Sequence, residues 1–229
     1  MTNNNISKNG FSVGNRPVEA IVTQQAGPSR YCYLIAGTHG DEPEGIYVLE
    51  QIMHWLKNNE ADLPMVIIPV LNPDGYAAET RVNANGVDLN RNLPASNWTR
   101  QKREDKYSPG SHPASEPENQ FLISLFEQYP PGFIISFHSW KPMLNSNGSC
   151  EEVLQLLHQE NDYPIVRDEI ADHPTPGSLG SYACEKLGIP VLTYECPVQD
   201  DEQSINSIWQ KNESALIKLM QSDLISQLL

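Results

Sequence analysis

The sequence predicts a single α/β domain, and three observations carry that prediction. Compact apolar runs rich in β-formers at Tyr31 to Ala36, Met65 to Leu71, Phe133 to Phe137 and Val191 to Tyr194 are separated by stretches of helical periodicity. The Met65 to Leu71 run has the continuous apolar character of a strand buried on both faces. At 229 residues the chain fits one large domain with room for a sizeable core. Alternating strands and helices indicate a sheet covered by helices on both faces. The whole chain, 1–229, is read as one catalytic domain, with residues 1–15 a flexible or peripheral N-terminal segment.

The elements follow in order. Val18 to Thr23 is a first short strand, and Tyr31 to Ala36 is a second that stops at Gly37, as strands do before a functional loop. Glu42 to Lys57 predicts a helix, because Ile46, Leu49, Ile52, Met53 and Leu56 recur at helical spacing and Asn58-Asn59 ends it. After the Met65 strand, Asn72-Pro73-Asp74-Gly75 predicts a turn. Leu93 to Glu118, rich in Pro, Ser and Asn, is the longest loop and is placed near the site. Glu116 to Tyr129 predicts a helix, Phe133 to Phe137 a buried strand and Glu151 to Gln159 another helix. Ser178 to Leu187 reads as a helix leading through Gly188 into the strand Val191 to Tyr194. Ser204 to Met220 is a long terminal helix. Repeats and low-complexity tracts are absent.

Charge and composition exclude several functions. The formal net charge of -14 argues against nucleic acid or an anionic membrane surface as a partner. No window approaches the ~18 apolar residues of a membrane span. Met1 to Gly10 is polar and lacks the apolar core of a secretory signal, so the expected location is cytoplasmic. Cys32, Cys150, Cys184 and Cys196 form no CxxC pair and read as reduced thiols.

Three segments converge on one chemistry. Gly37 to Glu42 offers His39 and Glu42 three residues apart, Ser136 to Ser139 offers His138, and Thr193 to Cys196 offers Glu195. Two imidazoles and a carboxylate leave one tetrahedral position open, which is the ligand set of a hydrolytic zinc site. All four residues follow or end predicted strands, the edge where open α/β sheets bind ligands. Each piece has an ordinary reading: an isolated HxxE is common, His138 could be a hydrogen-bonded strand-end histidine, and Arg91 could pair with Asp88. Glu195 inside an apolar strand is harder to dismiss, because a buried carboxylate needs a partner. The combination is what points to a metal-dependent hydrolase.

With these residues in hand, the chain resembles the zinc metallocarboxypeptidases with an HxxE…H pattern. The likeness is carried by His39-Gly40-Asp41-Glu42, Asn72-Pro73-Asp74-Gly75, Arg81, Val87 to Asn92, His138 and Glu195, in family order across residues 30 to 197. It implies a mixed sheet of about eight strands with helices on both sides. Thr80 to Asn92 and Thr175 to Tyr182 resemble most a compact bacterial group, the murein peptide amidases. That likeness implies hydrolysis of the γ-D-glutamyl to meso-diaminopimelate bond of a small murein tripeptide during cell-wall peptide recycling, with one zinc per chain.

The resemblance and the chemistry together assign roles. His39, Glu42 and His138 would hold zinc and a water whose pKa falls towards ~7. Glu195 fits the general base that takes the water proton and returns it to the leaving amine. Asp88 would accept the second ring proton of His39 and fix its tautomer. Arg81 would stabilise the developing oxyanion. Asn90 and Arg91 resemble the family's clamp for a terminal carboxylate. One departure concerns the tyrosine that larger members close over substrate: Ile170 to Pro174 contains none, which leaves Asp172, His173, Tyr163 and Tyr182 as alternatives. Asp172, Glu151, Glu152 and Ser181 are open candidates for reading the diaminopimelate side chain. The competing readings are a general metallocarboxypeptidase, an N-acyl amino acid deacylase and a non-catalytic cell-wall-peptide binding protein.

Overall fold

The architecture comes from a computed structural model, which describes residues 5–23, 30–59, 61, 63–168, 170 and 173–229. Eight strands form one mixed sheet in the order β1-β2-β4-β3-β5-β8-β6-β7. They are β1 (Ile6–Phe11), β2 (Pro17–Val22), β3 (Tyr31–Ile35), β4 (Met65–Ile68), β5 (Pro131–Trp140), β6 (Met143–Asn147), β7 (Ile165–Arg167) and β8 (Val191–Pro197). The centre, β4-β3-β5-β8, is parallel, while β1-β2, β2-β4 and β6-β8 run antiparallel.

Side chains alternate across this sheet and divide the core in two. Cys32, Leu34, Phe133, Ile135, Leu192 and Tyr194 face one layer, built from α1 (Pro43–Asn58), α4 (Glu151–Asn161) and α6 (Ile205–Gln221). Tyr33, Ile35, Ile134 and Val191 face the other, built from α3 (Pro117–Gln128) and α5 (Leu179–Tyr182). The helix α1 lays its apolar stripe, Ile46, Leu49, Ile52 and Leu56, onto the sheet.

Within the segment 1–15, β1 occupies the sheet edge and pairs with β2 from Ile6↔Val22 to Phe11↔Pro17. The structure alters several sequence expectations. Asn72-Pro73-Asp74-Gly75 is not a simple turn but opens a helix, α2 (Pro73–Ala78). The reason is local: Asn72 Oδ1 accepts from Gly75 N at 2.9 Å, and Pro73 sits in the first turn, where a missing N–H costs nothing. The expected helix Ser178 to Leu187 is split into α5 and a wider π turn over Ala183–Leu187. β4 ends at Ile68, short of Leu71, whereas β5 and β8 run on to Trp140 and Pro197. His138 and Glu195 therefore lie inside strands rather than at their last residue, directly paired as His138↔Glu195.

One contact fixes the loop after β3. A Cβ on Gly40 would fall 1.9 Å from the Gly75 carbonyl carbon, so the His39 loop rests directly on the backbone of α2. Gly40 N also donates to Thr80 O at 3.0 Å. Because backbone cannot yield as a flexible side chain does, Gly40→Ala is expected to destabilise the protein by about 1–3 kcal/mol. It should also displace His39, read as a lower urea midpoint together with weaker zinc retention; an unchanged midpoint would contradict this packing.

Candidate metal centre and substrate cleft

Strand register brings the predicted residues together. His39 lies four residues beyond the end of β3, Glu42 immediately precedes α1, His138 is in β5 and Glu195 is opposite it in β8. Glu42 occupies the helix N-cap without using its side chain to cap, which leaves the carboxylate free to turn toward the imidazoles. Its Oε1 lies 2.7 Å from His39 Nδ1, and its Oε2 lies 2.8 Å from His138 Nδ1. The two Nδ1 atoms are 3.1 Å apart.

This donor set suits zinc. A tetrahedral ion with ligands at about 2.1 Å sets donor-to-donor edges of about 3.4 Å. The three donor atoms here all fall within 4.8 Å of one another. The far side of each ring is already engaged: His39 Nε2 with Asp88 Oδ1 at 3.1 Å, and His138 Nε2 with Ser136 Oγ at 3.1 Å. A cation here needs the tautomer in which each Nε2 donates to these partners and each Nδ1 lone pair is left to bind it.

Asp88 organises the opposite wall. It is fully buried, and it caps the 3-10 turn Leu89–Arg91 by accepting from Asn90 N at 2.9 Å. Its Oδ2 accepts from Arg81 Nε at 2.9 Å, while Arg81 Nη1 reaches Glu42 Oε1 at 3.2 Å. Burial pushes the Asp88 carboxyl up, but His39 and Arg81 outweigh it and hold the group below the ordinary range. For His39, burial and Arg81 act downward, and Glu42 and Asp88 more than offset them. Burial likewise works against the ionised Glu42, yet the two histidines hold that carboxyl well below its ordinary value.

Glu195 is the exception among these carboxyls. It is buried, its Oε2 finds no hydrogen-bond partner among the described residues, and burial pushes it up to about 7. Glu42 adds to that rise, whereas His138 and Arg81 oppose it.

His39, Glu42, Arg81, His138 and Glu195 line one cleft of about 340 Å³, which also takes in Asn90 and Arg91. Asn90 Oδ1 accepts from Leu179 N at 2.8 Å, tying Asn90 to the start of α5. Arg91 is 9% exposed; its Nη1 donates to Asn90 O at 2.7 Å, and its guanidinium lies 5.5 Å from the Tyr107 ring.

The structure also sorts the candidates left open. His173 lines the cleft, packed edge-on against Trp140 with ring centroids 4.7 Å apart. Tyr163 and Tyr182 do not: Tyr163 is buried against Tyr194, and Tyr182 stacks on Phe126. Glu151 pairs with Arg167 beside a separate pocket, and Ser181 is bonded to Ser178. Asp172 lies outside the described residues. Two features of the site were missed by sequence reasoning: Ser136 behind His138, and Tyr107 in the cleft wall. Ser136 shares a strand face with His138 by period two, so its role was legible. Tyr107 ends a three-residue 3-10 turn, Asp105–Tyr107, too short for periodicity to announce it.

A convergent His-Glu-His donor set at the carboxyl edge of a mixed sheet defines a zinc peptidase, and the chain belongs to the zinc carboxypeptidase family, which matches residues 4–152. It is 34% identical over 183 residues to murein peptide amidase A of Escherichia coli, spanning 75% of this chain and 73% of that protein. The murein peptide amidase A of Vibrio campbellii is 34% identical over 201 residues, or 83% of this chain and 77% of the relative. Among solved structures, the murein-tripeptide amidase MpaA of Escherichia coli O157 superposes with a TM-score of 0.74 at 29% identity, covering 94% of this chain and 92% of that one. Carboxypeptidase A of Helicoverpa armigera, at 18% identity and a TM-score of 0.80, covers 97% of this chain and 69% of its own and shares the fold. No helix among the described residues is long and apolar enough to cross a membrane.

Proposed function

We propose that the protein hydrolyses the amide between γ-D-glutamate and meso-diaminopimelate in the murein tripeptide L-Ala-γ-D-Glu-meso-diaminopimelate, in the cytoplasm, within cell-wall peptide recycling. One observation carries the reading. Over three quarters of the chain it is similar to murein peptide amidase A, and the catalytic positions implied by that likeness meet in one cleft.

His39, Glu42 and His138 would hold the zinc. When bound, it supplies a Lewis acid that polarises the scissile carbonyl and makes water a stronger acid. Glu195, on the neighbouring strand, takes the proton of the attacking water and passes it to the departing amine. Arg81, anchored by Asp88, supplies an N–H toward the oxyanion that develops at the attacked carbonyl. Asp88 holds His39 in one tautomer. Asn90 and Arg91 grip the terminal carboxylate, so cleavage falls beside a free carboxyl end.

The test is incubation of zinc-loaded protein with the tripeptide and an α-linked peptide as competitor, followed by mass spectrometry. Release of diaminopimelate from the tripeptide is expected. Cleavage of the α-linked peptide instead makes the protein a general carboxypeptidase, and no cleavage of either returns it to the deacylase or binding readings.

The clamp has its own signature. A guanidinium grips a carboxylate through two parallel N–H bonds, and an ammonium cannot. Arg91→Lys is expected to raise KM by about 10- to 100-fold with a smaller change in kcat, since it removes binding common to ground and transition states. A kcat loss at unchanged KM would place Arg91 elsewhere in the reaction.

A further inference from the structure

Among the described residues, three carboxylates line the catalytic cleft: Glu42, Glu195 and Asp41. Metal binding and proton transfer account for the first two. Asp41 has no such task. It is solvent-exposed, and neither an ion pair nor a hydrogen bond to another described residue engages its carboxylate. The charged groups it feels are Glu42, His39 and Arg81, so it faces the reacting end of the cleft.

Arg81 fixes where Asp41 stands along the cleft. Its guanidinium reaches in two directions, Nε to Asp88 Oδ2 at 2.9 Å and Nη1 to Glu42 Oε1 at 3.2 Å. On one side, Asp88 caps the turn that carries Asn90 and Arg91. On the other, Glu42 directly follows Asp41 in the chain. The order is therefore Arg91, Arg81, Asp41. A peptide with its terminal carboxylate on Arg91 and its attacked carbonyl at Arg81 sends its acyl half onward to Asp41.

We propose that Asp41 is the specificity residue for the acyl half of the substrate, where it reads a free α-ammonium at the peptide's amino terminus. The inference rests on the hydrolytic reading above and deepens it. In L-Ala-γ-D-Glu-meso-diaminopimelate the acyl half ends in the L-alanyl ammonium, and an unpaired carboxylate complements that cation. An acylated amino terminus offers a neutral amide at the same point. It leaves the covered carboxylate without a counter-charge, which costs binding. The protein thus selects released peptides over those still attached through their amine.

The experiment measures kcat/KM for L-Ala-γ-D-Glu-meso-diaminopimelate and for the same peptide acetylated on its alanine amine. Zinc-loaded wild type, Asp41→Asn and Asp41→Glu are compared. Wild type is expected to favour the free amine. Asp41→Asn should shrink that preference about fivefold to tenfold, between the worth of an exposed ion pair and that of a charge-assisted hydrogen bond. Asp41→Glu keeps the charge and should retain more of the preference. A disturbed metal site lowers both peptides together, so an unchanged preference in Asp41→Asn overturns the assignment. If wild type cuts neither peptide, the hydrolytic reading fails separately, and calorimetric binding of the two peptides to the same proteins decides. Weakening of about fivefold or more in Asp41→Asn, confined to the free-amine peptide, supports the assignment; equal effects on both peptides, or no binding of either, refute it.

Discussion

Glu195→Gln is expected to lower kcat by about 10³-fold, within the 10²–10⁴ range of a positioned general base, while KM and zinc content stay near wild type. Glutamine has nearly the shape of glutamate and still fits opposite His138 in the parallel register of β5 and β8. What it lacks is a basic oxygen. The buried Glu195 carboxyl must be ionised to accept a proton, and burial pushes it up to about 7. A bound cation beside it favours the ionised form and draws that value down. Wild-type kcat/KM should therefore fall on acidification at or below neutrality, and Glu195→Gln should lose this acid limb along with the activity. Stopped assays across pH 5 to 9 test both. Retention of kcat by the variant would remove Glu195 from the proton path.

Asp88→Ala carries the largest structural effect. One buried carboxylate accepts from Asn90 N, meets His39 Nε2 and pairs with Arg81 Nε. Its removal leaves Arg81 with Glu42 as its one ion-pair partner among the described residues, frees the His39 tautomer and uncaps the turn that carries Asn90 and Arg91. A loss of about 3–5 kcal/mol is expected, as when one partner of a buried ion pair is deleted. Zinc affinity should fall by about 10- to 100-fold. If the alanine variant does not fold, Asp88→Asn keeps the shape and tests the charge.

The pH dependence has a definite sign. Against the upward push of burial, His39 and Arg81 hold Asp88 below its ordinary value. Its stabilising contribution is thus present above an unfolded pKa of about 3.9 and lost as pH falls below it. Between pH 5 and pH 3 the difference in unfolding free energy between wild type and Asp88→Asn should narrow by about 1 kcal/mol. A constant difference in urea denaturation would contradict this.

Much of this arrangement was legible because burial on both faces leaves a plain record. Tyr31 to Ala36, Met65 to Leu71, Phe133 to Phe137 and Val191 to Tyr194 each overlap a strand of the parallel centre, and a polar group such as Glu195 stands out beside so apolar a run. The edges wrote less. β1 (ISKNGF) alternates between half-buried and exposed positions, β6 (MLNSN) is largely polar although buried, and β7 has three residues. Such segments become strands by pairing with a neighbour, which no local pattern records. Tyr107 was hidden for a related reason. It ends a three-residue 3-10 turn, Asp105–Tyr107, in a loop held by long-range bonds such as Asn92 Nδ2 to Pro109 O at 2.8 Å.

The most direct test of the account is to strip the protein of metal and titrate zinc back while following diaminopimelate release from L-Ala-γ-D-Glu-meso-diaminopimelate. Activity should be absent at the start, rise in proportion to added zinc and break at one ion per chain, with no recovery in His138→Ala. Release without metal, or full recovery in the His138 variant, would mean that the His39, Glu42 and His138 cluster is not the catalytic centre.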